Sequence, residues 1–124
     1  MFELKVVTYF AAAHQLKMVT EKCENLHGHN WKIEVCVAGK TLNHAGVLID
    51  FGKIKVYLSE IIGKLDHTFL NELDFFQNDN PSSEKIAMLI AKEMQNKIDG
   101  SSAKINRVTV WESENACATY LPES

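Results

Sequence analysis

Four of the chain's five histidines fall in two short constellations, and these carry most of its chemical information. The first is His14 together with Cys23-Glu24-Asn25-Leu26-His27-Gly28-His29; the second is Asp66-His67. Two histidines one residue apart share one side of an extended segment, with Cα atoms about 6.6 Å apart at roughly 3.3 Å per residue. That is a workable bite for one metal ion. Imidazole is a common zinc ligand, and three protein ligands with a fourth position open mark a catalytic rather than a structural site. His14, His27 and His29 are the candidate ligands. The plainer alternative makes them ordinary polar strand residues.

Three further groups accompany them. Cys23 lies four residues before His27, and a bound cation nearby would favour its thiolate, as base or nucleophile. In Asp66-His67 the carboxylate can orient the imidazole for proton transfer; the simpler reading is a helix C-terminus with His67 at the negative end of the dipole. Glu112 alternates in step with Val108 and Val110, so its carboxylate points to the face those valines bury and needs a partner there. A substrate with adjacent N–H donors would supply one through a bidentate grip, although an exposed strand end is the competing reading. Cys36 and Cys117 read as packing and His44 as a solvated turn residue. Lys17 and Lys22 flank the proposed site and can meet phosphate; Lys53 and Lys55 read as surface charge.

These residues need elements to hold them. Phe2 to Phe10 is rich in β-branched and aromatic residues, and Asn30 to Ala38 alternates with Trp31, Ile33, Val35 and Val37 on one face, so both read as strands. A glycine-bracketed turn from Gly39 to Gly46 leads to the apolar run Val47-Leu48-Ile49. Asp50 then caps a helix in which Ile54, Leu58, Ile61 and Leu65 recur at helical spacing. A loop at Asn78 to Ser83 opens a second helix, capped by Asn80 or Ser82, burying Ile86, Leu89, Ile90 and Ile98, and stopped by Gly100. Lys104 to Glu112 and Ala116 to Leu121 alternate again around the turn Ser113-Glu114-Asn115.

The order is ββααββ in a single domain over residues 1–124, an α+β architecture with two helices on one face of a four-stranded antiparallel sheet. Its two open edges predict pairing between subunits. With 13 basic against 16 acidic side chains and a net charge of -3, nothing points to nucleic acid. Three cysteines without regular spacing fit reduced thiols. No apolar run approaches the roughly 18 residues of a membrane span, so a cytoplasmic protein without membrane attachment is expected.

Taken in order, these pieces resemble the 6-pyruvoyltetrahydropterin synthase family, which includes the 6-carboxytetrahydropterin synthases of queuosine (7-deazapurine) biosynthesis. The similarity runs through Phe10-Ala11-Ala12-Ala13-His14, Leu26-His27-Gly28-His29-Asn30, Val47-Leu48-Ile49-Asp50-Phe51, Leu65-Asp66-His67 with Leu70-Asn71, Asn80-Pro81-Ser82-Ser83-Glu84 and Val110-Trp111-Glu112-Ser113. The resemblance implies Zn2+ on His14, His27 and His29, catalysis by Cys23 with Asp66 and His67, and substrate binding by Glu112, Ser82 and Ser83. It implies the tunnelling fold, in which sheets of three subunits close a barrel and two rings stack as a hexamer. Three residues between Cys23 and His27 are similar to the carboxy-forming branch, which makes the chain a zinc-dependent carbon–carbon lyase. On that reading 7,8-dihydroneopterin triphosphate yields 6-carboxytetrahydropterin, acetaldehyde and triphosphate. The alternatives are the 6-pyruvoyl product without carbon–carbon cleavage and a non-catalytic zinc-binding module. A zinc hydrolase lacks its His-Glu-x-x-His helix.

Overall fold

The structure, a computed structural model, describes residues 1–15, 27–77 and 79–123, with His27 described by its backbone alone. β1 (Phe2–His14) and β2 (His27–Gly39) form a long antiparallel pair in which Phe10 faces Trp31, Ala12 faces His29 and His14 faces His27. α1 (Phe51–Gly63), the short β3 (Thr68–Phe69), two 3-10 turns at Leu70–Glu72 and Asp74–Phe76, and α2 (Ser83–Ile98) follow. β4 (Lys104–Ser113) and β5 (Ala116–Tyr120) complete the chain, and the sheet order is β3-β1-β2-β4-β5.

The two-period of the strands decides which face is buried. Val6, Phe10, Ala12 and His14 of β1 are buried, as are Trp31, Ile33, Val35 and Val37 of β2 and Val108 and Val110 of β4. Against that face lie Ile54, Leu58, Ile61 and Ile62 of α1 and Ile86, Ile90, Met94 and Ile98 of α2. Both helices start as their caps dictate: Asp50 accepts from Gly52 N–H and Ser82 from Lys85 N–H, each satisfying an orphan amide.

The tunnelling-fold architecture is present, with two differences in detail. First, the sheet is mixed, because β3 pairs parallel to β1 through Ala12 with Thr68 and Ala13 with Phe69. A two-residue strand has no period to read. Second, Leu65, read as the last buried position of the first helix, lies past the end of α1 at Gly63, although it is buried all the same.

Asp66 and His67 clamp the outer edge of β1. Asp66 Oδ1 accepts the Ala11 N–H at 2.9 Å, while the His67 N–H donates to the Ala11 carbonyl. His67 achieves this in the left-handed region, at φ 58°, a conformation a non-glycine residue adopts only where its surroundings hold it. The Ala11 amide, followed by the His67 imidazole 3.1 Å away, holds the Asp66 carboxyl below its ordinary range despite some opposing desolvation. A depressed carboxylate stabilises the fold above its unfolded pKa, and that contribution is lost as pH falls through the folded pKa. Asp66→Asn is therefore expected to lower the urea midpoint at neutral pH and to flatten its fall below about pH 4. An acid limb identical to that of the parent would show that Asp66 contributes nothing to it.

Candidate metal centre

His14 is fully buried at the end of β1, and its ring is fixed on three sides. Nδ1 donates to the Pro81 carbonyl at 2.9 Å, the ring stands edge-on to Trp31 at 4.9 Å between centroids, and Nε2 lies 2.8 Å from Glu112 Oε1. The bond to a carbonyl commits Nδ1 as the protonated nitrogen, which leaves Nε2 the lone pair a metal requires. His29 repeats the arrangement, with its ring 5.2 Å from Trp31 and 5.0 Å from His14, and its Nε2 3.2 Å from the same Glu112 oxygen. One ligand atom from each of His14, His29 and Glu112 falls within a 4.8 Å cluster.

The chemistry of this donor set fits a cation. With Nδ1 of His14 occupied, a neutral imidazole turns a lone pair toward a carboxylate oxygen that is itself an acceptor. A proton or a metal ion between them relieves that conflict, and two imidazoles with one carboxylate are a recognised zinc donor set. Zn2+ would be held by His14 and His29, with His27 joining them on the sequence argument. Backbone pairing brings His27 opposite His14. The expectations for the His27 side chain, Cys23, Lys17 and Lys22 lie outside the described residues.

An irregularity in the sheet lies at Glu112. Between Trp111, paired with Cys117, and Ser113, paired with Ala116, β4 carries one residue more than β5. A bulge of this kind turns a side chain locally, and bulges collect beside active sites. Glu112 follows Val108 and Val110 on one face of β4, and its carboxylate meets both imidazoles at about one-third exposure. Ser82 is occupied at the α2 N-terminus, Ser83 opens that helix, and the carbonyl of the preceding Pro81 belongs to His14. Asp66 and His67 sit together on the β1 edge, where the His67 side chain is 82% exposed.

Strand alternation marks Trp31 as core, and the element holding Pro81 gives no sign that its carbonyl takes the His14 ring. Trp31 is both core and floor: its ring contacts His14 and His29, stacks on Phe10 at 5.8 Å and donates its Nε1 proton to the Ala12 carbonyl. Its place two residues after His29 on the same face was the available signal. Beside the cluster, Gln15, Phe69, Asn71, Phe76 and Asn80 line a cavity of about 590 Å³. Another cavity, of about 440 Å³ and bordered by Lys53, Tyr57 and Lys97, lies beyond the far end of β2 and touches none of these groups.

Residues 3–123 match the family model described as 6-pyruvoyl tetrahydropterin synthase. The chain belongs to that family. It is similar to the 6-carboxy-5,6,7,8-tetrahydropterin synthase of Bacillus subtilis, with 30% identity over 98% of this chain and 86% of that protein. It is 36% identical to the dihydroneopterin monophosphate aldolase of Pyrococcus furiosus over 83% of this chain and 82% of the other. The fold superposes on the 6-pyruvoyl tetrahydropterin synthase of Caenorhabditis elegans with a TM-score of 0.86, covering 98% and 96% of the two chains at 24% identity. Family membership makes this a pterin enzyme. Among the described residues no helix is long and apolar enough to cross a membrane.

Proposed function

We propose that this protein is a zinc-dependent 6-carboxytetrahydropterin synthase acting on 7,8-dihydroneopterin triphosphate, with a place in queuosine biosynthesis. The observation that carries the reading is the pairing of near full-length similarity to the Bacillus subtilis enzyme with a metal-competent cluster at His14, His29 and Glu112. When bound, zinc supplies Lewis-acid polarisation of a substrate oxygen. The other steps fall to the protein. Cys23 removes a carbon-bound proton, and His67, oriented by Asp66, relays protons as triphosphate departs. The outer edge of β1 before Ala11, beside which no described strand lies, and the exposure of His67 support an assembly in which Asp66 and His67 serve a neighbouring subunit, within a cytoplasmic hexamer.

Beyond the oxygen it can offer the metal, Glu112 has two roles to separate. The resemblance makes it the pterin anchor, whereas its contacts with both imidazoles support a proton-moving group beside the metal. Glu112→Gln keeps the shape and removes the charge. An anchor predicts a KM at least 10-fold higher with slower chemistry as well, since a loosened ring misplaces the reacting carbon. A proton-moving group predicts an unchanged KM and a kcat lower by about 10²-fold or more. An unchanged kcat and KM would remove Glu112 from both roles.

The function itself is tested by incubating zinc-loaded protein with 7,8-dihydroneopterin triphosphate, identifying products by mass spectrometry and assaying acetaldehyde in parallel. Acetaldehyde with 6-carboxytetrahydropterin is the expected result; a 6-pyruvoyl product without acetaldehyde overturns the carboxy-forming assignment. The similarity to the Pyrococcus furiosus protein favours a second reading, with dihydroneopterin monophosphate as substrate. Turnover of the monophosphate in preference to the triphosphate would establish it.

A further inference from the structure

β1 stops at His14, and the residue that follows is held by a side chain instead of a strand. Asn71 Oδ1 accepts the Gln15 N–H at 2.9 Å, and Asn71 Nδ2 donates to the Gln15 carbonyl at 2.7 Å. A side-chain amide offers the same donor and acceptor as a peptide group, so this pair of bonds copies one rung of a β-ladder. The rung continues rungs already present. β3 pairs with Ala12 and Ala13 through Thr68 and Phe69, and Asn71 stands two residues beyond Phe69 in the 3-10 turn that follows. His14 therefore lies between a neighbour held by β3 and a neighbour held by Asn71.

The consequence concerns precision. The His14 ring is fixed by Pro81 and Trp31, but a ring is placed no better than the Cα that carries it. Strand ends open locally at low cost, whereas a metal ligand must stay within about 0.5 Å of its productive position. Asn71 closes both hydrogen-bonding groups of the first residue beyond the strand, which suppresses that opening next to His14.

We infer that Asn71 is a positioning residue for the metal centre: its amide extends the β1 ladder by one rung and thereby sets the backbone of His14. The inference rests on the zinc reading of His14 and on no feature of the pterin chemistry.

The test compares zinc affinity, measured by competition with a chromophoric chelator, and the d–d absorption of the Co2+-loaded protein. Asn71→Ala is set against Asn43→Ala. Asn43 Oδ1 also takes two backbone amides, Ala45 at 2.8 Å and Val47 at 3.3 Å, but in the turn beyond the opposite end of β2. Asn71→Ala is expected to weaken zinc binding about 10- to 100-fold, the usual effect of losing an outer-shell partner, and to shift the Co2+ bands. Asn43→Ala is expected to lower metal-free thermal stability with both metal readouts unchanged. Asn71→Asp keeps an acceptor for the Gln15 N–H and loses the donor to its carbonyl, so its affinity falls between; it decides the matter if the alanine variant does not fold.

Unchanged affinity and bands in the Asn71 variants, or an equal change in Asn43→Ala, would overturn the assignment. Zinc binding by the parent without pterin turnover would overturn the proposed function and leave the role of Asn71 standing. A parent that binds no zinc would remove both.

Discussion

His14→Ala is expected to abolish activity and to weaken zinc binding by more than the roughly 10- to 100-fold that loss of an outer-shell contact costs. The magnitude follows from what one imidazole does here. It is a ligand, its Nδ1 proton occupies the Pro81 carbonyl, and its ring covers Trp31. Alanine removes the ligand atom, leaves a buried carbonyl without its donor at a cost of about 1–3 kcal/mol, and opens space against the indole. The metal-free variant is therefore also less stable than the parent. Linkage separates the two effects: zinc at 1,000 times its Kd stabilises the parent by about 4 kcal/mol, raising Tm on the order of 10 °C. His14→Ala should show no such rise at the same zinc concentration. A full zinc-dependent rise in this variant would exclude His14 as a ligand, whatever happens to activity.

How far such a site was legible differs from residue to residue. Strand alternation by itself put the Glu112 carboxylate on the buried face, because a period of two is a property of the chain. The helix starts were equally plain, since Asp50 and Ser82 are side chains chemically suited to take orphan amides. What stayed hidden depends on contacts distant in sequence or on main-chain groups. The Pro81 carbonyl reaches His14 across 67 residues, and a carbonyl is common to every residue type. The bulge at Glu112 arises from a mismatch between β4 and β5, which neither strand carries alone. Asn71 was visible as part of a family element, but its two bonds to Gln15 exist only because β3, too short to have a pattern, docks beside β1.

Cys23→Ala is expected to lower kcat by about 10²- to 10⁴-fold, the range of a positioned acid–base group, while zinc binds with parental affinity. Cys23 belongs to the segment that joins β1 to β2. The connection between β1 and β2 leaves the sheet after His14 and re-enters it at His27, and those residues face each other in register, so both ends of the connection meet at the metal centre. Among the described residues His14, His29 and Glu112 offer three ligand atoms without a thiolate, and on that donor set removal of the sulfur leaves the ligands intact. Chelator competition and single-turnover kinetics on the same preparation decide between the roles. Parental zinc affinity with lost turnover makes Cys23 the proton-abstracting group, and Cys23→Ser should then recover a small part of the rate, since a hydroxyl occupies the position with poorer basicity. Loss of zinc from Cys23→Ala would make Cys23 a ligand, and parental turnover would remove it from the chemistry.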